Sequence, residues 1–197
     1  MQRNPLVFQK SHIYHPAWAA RVLAETRPAR HVDISSSLAF STIVSAFIPV
    51  DFYDYRPALL ELDNLQSNFG NLLSLPFPDG ALQSVSCMHV IEHVGLGRYG
   101  DQQDANGDLK ALAELKRIVQ AGGDLLIVVP VGAPKIVFNA HRIYSYAQIV
   151  ENFAGFELKE FSLITDVESP AGILKNAPPE LVAQQQYGCG CFWFRKL

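Results

Sequence analysis

Short apolar runs along this chain alternate with longer stretches whose apolar residues recur every three or four positions. The clearest run, DLLIVVPV at 124–131, is apolar almost throughout, which is typical of a strand covered on both faces. The clearest amphipathic stretch is LKALAELKRIVQ at 109–120. It predicts a helix with Asp108 as its N-cap and Gly122-Gly123 as its C-terminal stop, because glycine readily adopts the left-handed conformation of a helix end.

The same patterns predict further elements on both sides of this unit. Strands are predicted over HVDI (31–34), VDFYDY (50–55), a brief part of 60–77, LQSVSCM (82–88), FELKEFSLITD (156–166) and CGCFWFRKL (189–197). Helices are predicted over AWAARVLAET with Pro16 as the first helical residue, over LAFSTIVSAF (38–47) capped by the preceding serines, and over SYAQIVENFAG (145–155). Strands that alternate with helices favour a parallel sheet in a three-layer α/β/α sandwich, and the last two strands can pair antiparallel.

Composition supports one soluble domain. The 197 residues are 49% hydrophobic and 18% charged, which predicts a single domain over 1–197, with a helical extension at 1–30 and the core at 31–197. The net charge of −3, without a basic run, argues against a nucleic-acid partner. No apolar run is long enough to cross a membrane and no signal-peptide core is present, so we expect a cytoplasmic protein.

The cysteines have no framework spacing, which favours a reducing compartment. Cys189 and Cys191 fall on one face of a predicted strand. Because no CxxC is present, we interpret both as small buried residues and expect no metal site. The aromatic segment that follows them fits a core strand better than a dimer face.

Two segments carry a resemblance to a known family. They are LPFPDGALQSVSCMHVIEHVG at 75–95 and LKALAELKRIVQAGGDLLIVVPVG at 109–132. Their order of turn, strand, His/Glu junction, helix, double glycine and strand resembles the central part of class I (Rossmann-like) S-adenosylmethionine-dependent methyltransferases. The resemblance implies a mostly parallel seven-stranded sheet with one antiparallel strand near the C-terminus, and S-adenosylmethionine as methyl donor. Through SSLAFS, FYDYRP and HVIEHVGLGRYGD, the chain is also similar to a methyltransferase-like family of unknown function.

The resemblance implies a cofactor loop after the first strand, where the family pattern is D/E-x-G-x-G-x-G. Asp33 matches the acid, whereas Ser35, Ser37 and Ala39 replace the three glycines. A serine with positive φ is strained. Either the loop keeps the path of the glycines and loses affinity, or it follows another path on which the serine hydroxyls form hydrogen bonds.

The resemblance implies further cofactor contacts at the ends of the next two strands. Asp54 would accept the ribose hydroxyls, Asn71 would hydrogen-bond to the adenine amino group, and Leu72 would pack on the ring. The residues alone leave alternatives open, since Asp54 equally fits an ion pair with Arg56 and Asn71 fits a simple turn.

The segment His89-Val90-Ile91-Glu92-His93 has two interpretations. As H-x-x-E-H it matches a zinc-peptidase signature, which needs a helix that Gly95 and Gly97 would cut short. In a methyltransferase, His89 would lie beside the methyl donor and take a proton from an acceptor hydroxyl. Glu92 and His93 would then begin the following helix and help to position the loop. Alternatively, the segment is purely structural and only caps the junction between strand and helix.

The long polar loop at 95–108 is a candidate lid, and two residues beyond the next strand are candidates for substrate binding. His141 and Arg142 match a family passage, so both could face the acceptor, with Arg142 holding an anionic group. Arg142 equally fits a brace for the lid through Asp101 or Asp104.

Three functions remain open from the sequence. The first is a methyltransferase acting on a small molecule, for example a saccharide hydroxyl. The second is a methyltransferase-like fold that has lost catalysis and serves as a binding or assembly module, because fold alone does not give function. The third is a zinc hydrolase.

Overall fold

A computed structural model describes residues 5–98, 100, 102–166 and 172–197 of the protein. Its α-helices are α1 (Pro5–Thr26), α2 (Leu38–Val44), α3 (Gly107–Ile118) and α4 (Tyr146–Asn152), with 3-10 helices at Ile91–His93 and Pro179–Gln184. Its strands are β1 (His31–Ile34), β2 (Val50–Asp54), β3 (Leu65–Phe69), β4 (Leu82–Met88), β5 (Val119–Val131), β6 (Lys135–Val137), β7 (His141–Ile143), β8 (Phe156–Ile164), β9 (Leu174–Lys175) and β10 (Gly188–Lys196).

The described residues form one eight-stranded sheet in the order β3-β2-β1-β4-β5-β10-β8-β9, with β6 and β7 as a separate hairpin. The strands from β3 to β5 pair in parallel, whereas β10 lies antiparallel between β5 and β8, and β9 is antiparallel to β8. The prediction of seven strands with one antiparallel member is therefore wrong in detail. The short strand β9 adds an eighth position and a second antiparallel strand.

Apolar side chains fill both faces of the sheet, which confirms the predicted three-layer sandwich. One face packs on α3 and α4, with Leu112, Leu115 and Phe192 fully buried. The other face packs on α1 and α2, with Trp18 and Leu23 in the core. Because α1 supplies core residues, the described helix Pro5–Thr26 forms part of an outer layer of the sandwich.

Pro16 lies inside α1 and does not begin it. Proline lacks the N–H that would close one helical hydrogen bond, so a first-turn position was the simpler prediction. The packing of Trp18, Ala19 and Val22 against the sheet holds the helix together on the C-terminal side of Pro16.

Within the described residues, no helix combines the length and apolar character that a membrane span requires.

Both predicted boundaries of α3 are also wrong. Asn106 is the N-cap, and Asp108 lies buried in the first turn. At the other end the helix stops at Ile118, and Gly122-Gly123 lie within β5. There the register against β4 shifts, so that 120–123 bulge outward, and a Cβ on Gly123 would meet the carbonyl oxygens of Leu82 and Gln83 at 3.0 Å. Gly123 therefore serves close packing in the sheet, whereas Gly122 supplies a left-handed backbone conformation (φ +74) within the bulge, and neither ends the helix.

Candidate functional site

The loop after β1 keeps a glycine-like backbone at its first serine. Ser35 has φ +54, and its N–H donates to the carbonyl of Tyr53 at 2.8 Å. Its hydroxyl also donates to that carbonyl, at 3.2 Å. Ser37 has an ordinary φ of −73 at the N-cap of α2, where its side chain makes no cap hydrogen bond. The loop thus keeps a left-handed residue at Ser35 alone among the three serines. A serine does occupy the N-cap as predicted, but the side-chain hydrogen bond expected of the capping serines is not formed.

This difference predicts opposite effects of two matched substitutions on stability. Ser35→Gly should raise the free energy of unfolding by about 0.5–1 kcal/mol. Glycine relieves a strain of roughly 1–2 kcal/mol at a left-handed L-residue, but its greater backbone entropy in the unfolded chain and the lost hydroxyl bond to Tyr53 offset part of the gain. Ser37→Gly should lower it by a few tenths of a kcal/mol, since the backbone there suits serine. Urea denaturation of both variants measures the difference, and a destabilised Ser35→Gly would contradict the assigned strain.

Asp33 lies inside the protein and not at the crevice where the cofactor was expected. Its side chain is fully buried, and its two oxygens accept hydrogen bonds from the hydroxyls of Ser86 (2.5 Å) and Ser41 (2.7 Å). Burial raises the pKa of Asp33 to about 6, against the hydrogen bonds from Ser36, Ser86 and Ser41, which lower it. The carboxyl group joins β1 to β4 and α2, so its role is to hold the loop in place.

Asp54 and Asn71 lie at the ends of neighbouring parallel strands, as predicted. The N–H of Gly70 donates to the backbone carbonyl of Asp54, which keeps the two strand ends together. The Asp54 carboxylate accepts the backbone N–H of Arg56 at 2.8 Å, in a turn. Asn71 accepts the N–H of Leu73 at 3.0 Å in a similar turn. Both side chains are half-buried and retain further acceptor or donor capacity.

Leu72 is 8% exposed and belongs to the core on the α3 side of the sheet. The nearby rings of Tyr53 and Phe77 meet edge to face, with centroids 4.9 Å apart. The ends of β2 and β3 therefore have an apolar surface, formed by Leu72, Tyr53 and Phe77, beside the polar groups of Asp54 and Asn71.

His89 lies directly after β4, where its backbone N–H donates to the carbonyl of Val128 and its φ is +58. Its Nδ1 is 2.9 Å from Oε1 of Glu92, and its Nε2 is 3.4 Å from Sγ of Cys189. Burial would lower the pKa of His89, but the Cys189 sulfur and the Glu92 carboxylate outweigh it and raise this pKa. Hydrogen bonding from Cys191 and the charge of His89 lower the pKa of Cys189, although burial opposes them.

The helix that a zinc-peptidase motif needs is not formed. Ile91–His93 is a 3-10 turn, and the left-handed His89 precedes it. Nδ1 of His93 donates to the carbonyl of Ala140 at 2.5 Å, and its Nε2 lies 3.8 Å from Glu92. Because His89 and His93 are not stacked on one helical face, the H-x-x-E-H interpretation loses its structural basis. Glu92, 1% exposed, lies between the two imidazoles.

Arg142 is buried in the protein, with 4% of its surface exposed. Its guanidinium donates to the carbonyls of Val94 (2.7 Å) and Ala105 (3.2 Å) and lies 3.3 Å from the carboxylate of Asp108. Arg142, on β7, therefore connects the two ends of the candidate lid. It binds Val94 just before the loop, and Ala105 and Asp108 at its end. Asp104, one of the two predicted partners, pairs with Lys110 instead, and Asp101 lies outside the described residues.

His141 remains nearer the surface than Arg142. Its ring meets that of Tyr187 edge to face at 4.8 Å and lies 6.4 Å from that of His93. Burial and the charge of His93 lower the pKa of His141. A cleft of about 360 Å³ is bordered by Arg142, Lys135 and Leu109, and His141 is not among the residues that line it.

His15 and Cys189 are the residues that sequence reasoning missed. The ring of His15, on α1, lies 4.9 Å from that of His89, and the ligand atoms of His15, His89 and Cys189 lie within 4.8 Å of one another. The interpretation of Cys189 as an ordinary core residue is therefore incomplete. A histidine pair at 12 and 15, on one helical face, was the available signal.

Comparison with known sequences assigns the family. The family described as "Caenorhabditis protein of unknown function, DUF268" matches residues 78–177, a range that includes β4, the His89–Glu92 junction, α3 and β5. The chain belongs to this family. The predicted relation to a family of unknown function is thereby confirmed. The uncharacterized protein MJ0638 of Methanocaldococcus jannaschii is 29% identical to the chain over 119 residues, which are 58% of this chain and 46% of that protein. The chain spans about half the length of this curated relative.

Comparison with solved structures confirms the predicted fold family. The N-methyltransferase NodS of Bradyrhizobium japonicum, in complex with S-adenosylhomocysteine, matches with a TM-score of 0.61 and 10% identity, over 91% of this chain and 84% of that chain. Geranyl diphosphate C-methyltransferase of Streptomyces coelicolor, in complex with Mg²⁺, geranyl-S-thiolodiphosphate and S-adenosylhomocysteine, matches with a TM-score of 0.58 and 10% identity, over 92% of this chain and 76% of that chain. At such identity the likeness establishes the class I methyltransferase fold and nothing finer.

Proposed function

We propose that this protein is an S-adenosylmethionine-dependent methyltransferase that acts on a small molecule. The observation that carries the proposal is the left-handed Ser35, which preserves the backbone path of the first glycine in the loop where this fold binds its cofactor. The serine side chain is accommodated by its hydrogen bond to Tyr53 and does not divert the chain. S-adenosylmethionine, when bound, supplies an electrophilic methyl group on a sulfonium sulfur.

The residues at the strand ends fit this cofactor in chemistry. Asp54 offers a carboxylate with acceptor capacity beyond its bond to Arg56, which suits a ribose diol. Asn71 offers an amide for the adenine edge, and Leu72 with the rings of Tyr53 and Phe77 offers an apolar contact for the base. Ser35 and Ser37 would bind the methionine part through their hydroxyl groups. Asp33 would act only by positioning this loop, since both of its oxygens bind serines.

The acceptor would lie toward His89, at the end of β4, with His141 near the entrance. His89 is the candidate catalytic group, and Glu92 orients its ring. A hydroxyl, such as that of a saccharide, remains the proposed acceptor type. Positioning of the acceptor oxygen in line with the sulfonium would supply most of the rate enhancement.

A calorimetric titration of the purified protein with S-adenosylhomocysteine tests the proposal, because this product binds without an acceptor. We expect binding with a Kd of about 1–100 μM, or roughly 5–8 kcal/mol. No binding at millimolar ligand, in protein shown to be folded, would overturn it.

Asp54→Asn should weaken that binding by roughly tenfold to a hundredfold, because a charged hydrogen bond contributes about 1.5–3 kcal/mol. Asparagine preserves the acceptor of the Arg56 turn, so the fold should be maintained. Asp51→Asn is the matched control on the same strand, where the carboxylate pairs with Arg30 away from the site. Equal affinity of both variants for S-adenosylhomocysteine would remove Asp54 from the cofactor site.

A binding or assembly module without catalysis is the second candidate, and one hydrogen bond favours it. The hydroxyl of Ser36 accepts the N–H of Met88 at 2.9 Å, which draws the loop against the end of β4. Ser36 stands at a variable position of the family pattern, so this contact does not depend on the replaced glycines. Absence of S-adenosylhomocysteine binding would make this candidate the leading one.

A further inference from the structure

Three side chains with metal-binding atoms converge from distant parts of the chain. His15 comes from α1, His89 from the end of β4, and Cys189 from the start of β10, which is 100 residues beyond His89. Their ligand atoms all lie within 4.8 Å of one another, and Nε2 of His89 is 3.4 Å from Sγ of Cys189. A tetrahedral zinc ion with Zn–S of about 2.3 Å and Zn–N of about 2.05 Å separates its sulfur and nitrogen ligands by about 3.6 Å. The distance of 3.4 Å between Nε2 of His89 and Sγ of Cys189 is close to that value.

The Nδ1 atoms of His15 and His89 each have a hydrogen-bond acceptor that fixes the orientation of the ring. Nδ1 of His15 donates to the backbone carbonyl of Ser11 at 2.6 Å, and Nδ1 of His89 donates to Glu92 at 2.9 Å. With Nδ1 committed as a donor, Nε2 is the nitrogen that each ring can present to a metal. Histidine ligands in proteins are oriented in this way by carbonyl or carboxylate partners.

The surroundings supply negative charge in a buried place. His15 is 3% exposed, Cys189 is 4% exposed and Glu92 is 1% exposed. Oε2 of Glu92 is buried without a hydrogen-bond partner among the described residues. A thiolate together with a carboxylate balances a divalent cation, whereas burial of both without one is costly.

We infer that His15, His89 and Cys189 bind a zinc ion, with Glu92 and the Ser11 carbonyl as orienting partners. Metal binding displaces the proton between Cys189 and His89 to solvent. Three protein ligands leave the fourth position of a tetrahedral ion to water or to an oxygen or sulfur atom of a ligand, as in catalytic zinc sites. The site lies at the carboxyl edge of the sheet. Zinc would occupy Nε2 of His89, so a zinc-bound His89 could not also take a proton from an acceptor hydroxyl, whereas the proposed binding of S-adenosylmethionine at Asp54 and Asn71 does not depend on the ion.

A nucleophilic Cys189–His89 pair is the competing explanation for the short contact. Such a pair needs one imidazole and an accessible sulfur. Here a second imidazole, that of His15, faces the same point, and Cys189 is almost fully buried. Both observations favour a metal over a nucleophile.

Cobalt titration of protein purified without a histidine tag and stripped by a chelator tests the site. We expect one Co²⁺ per chain, a sulfur-to-cobalt charge-transfer band in the near ultraviolet, and the intense visible bands of a tetrahedral ion, all removed by added Zn²⁺. Cys189→Ser should abolish the charge-transfer band, and His15→Ala should abolish tight binding. Cys87→Ser is the matched control, because Cys87 is equally buried but packs on the other face of the sheet.

Glu92→Gln adds a readout for the positioning role and should weaken Co²⁺ affinity about 10–100-fold while the spectrum keeps its shape. Circular dichroism confirms that each variant is folded. Absence of Co²⁺ binding by the folded wild type, a charge-transfer band that persists in Cys189→Ser, or alkylation of Cys189 that Zn²⁺ does not slow would overturn the inference. S-adenosylhomocysteine titration of the stripped protein is independent of these measurements, so failure of either proposal is recognised separately.

Discussion

Replacement of Arg142 by methionine is expected to lower the free energy of unfolding by about 3–5 kcal/mol, because it leaves the buried carboxylate of Asp108 without its cation. Arg142 and Asp108 are 4% and 5% exposed, and their groups lie 3.3 Å apart. The substitution also removes the donors to the carbonyls of Val94 and Ala105. Urea denaturation, with the midpoint and slope both fitted, measures the loss.

Two further variants make this measurement specific. Arg30→Met breaks the pair with Asp51, in which the arginine side chain is 55% exposed, and should cost no more than about 1 kcal/mol. Asp108→Asn combined with Arg142→Met removes the stranded charge and should recover part of the loss, since the amide can still pair with the Tyr144 hydroxyl. Equal losses of unfolding free energy in Arg142→Met and Arg30→Met would show that the buried pair contributes no more to stability than the exposed one.

Acidification is expected to destabilise the protein through His31. This imidazole is completely buried, with Nδ1 2.8 Å from the Ser84 hydroxyl and Nε2 2.9 Å from the Ser86 hydroxyl. Burial lowers the pKa of His31 from 6.5 to about 3. Below pH 6.5 the unfolded chain therefore takes up a proton that the folded chain does not, and stability falls by about 1.4 kcal/mol per pH unit.

Asp33 acts in the opposite direction through the same serine. Its raised pKa, about 6, means that the folded chain holds a proton between pH 3.8 and 6 that the unfolded chain has released. Stability from this group consequently rises on acidification through that range. Because the two slopes have opposite signs and similar size, the two pH effects largely cancel in the wild type between about pH 4 and 6.

Comparison of the wild type with His31→Gln isolates the histidine contribution. The difference in free energy of unfolding between the two proteins should shrink by about 2 kcal/mol from pH 7 to pH 5, because only the wild type loses the stability of a neutral imidazole. The effect of Asp33 is common to both proteins. A difference that stays constant over this range would mean that His31 is protonated in the folded protein at no cost.

The alternation of strands and helices was sufficient to predict the layers and the class of fold. DLLIVVPV, for example, lies in the centre of the sheet with each of its apolar residues buried. Local pattern did not predict the boundaries at Pro16 and at Gly122-Gly123. There, packing of a long helix and a bulge against Leu82 outweigh the usual preferences of proline and glycine.

The candidate site likewise contains residues whose location the sequence predicted and residues whose contacts it did not. Asp54 and Asn71 lie where the order of parallel strands requires, so sequence reasoning found their location. The convergence of His15 with Cys189 depends on the helix that covers the sheet and on the insertion of β10, which are contacts between distant residues. Only the structure revealed that serine hydroxyls occupy both oxygens of Asp33. For Arg142 the sequence left a brace for the lid as an alternative, and the structure shows this role with Asp108 as the partner.

The position of β10 also constrains how the chain can fold during synthesis. β5 and β8 are made earlier than Gly188–Lys196, yet β10 pairs with both of them. Until those residues leave the ribosome, two apolar strands present unpaired edges, which are the edges that pair wrongly between chains. The sheet therefore closes late and through contacts of high sequence separation, which predicts slow folding and a dependence on chaperones at high expression.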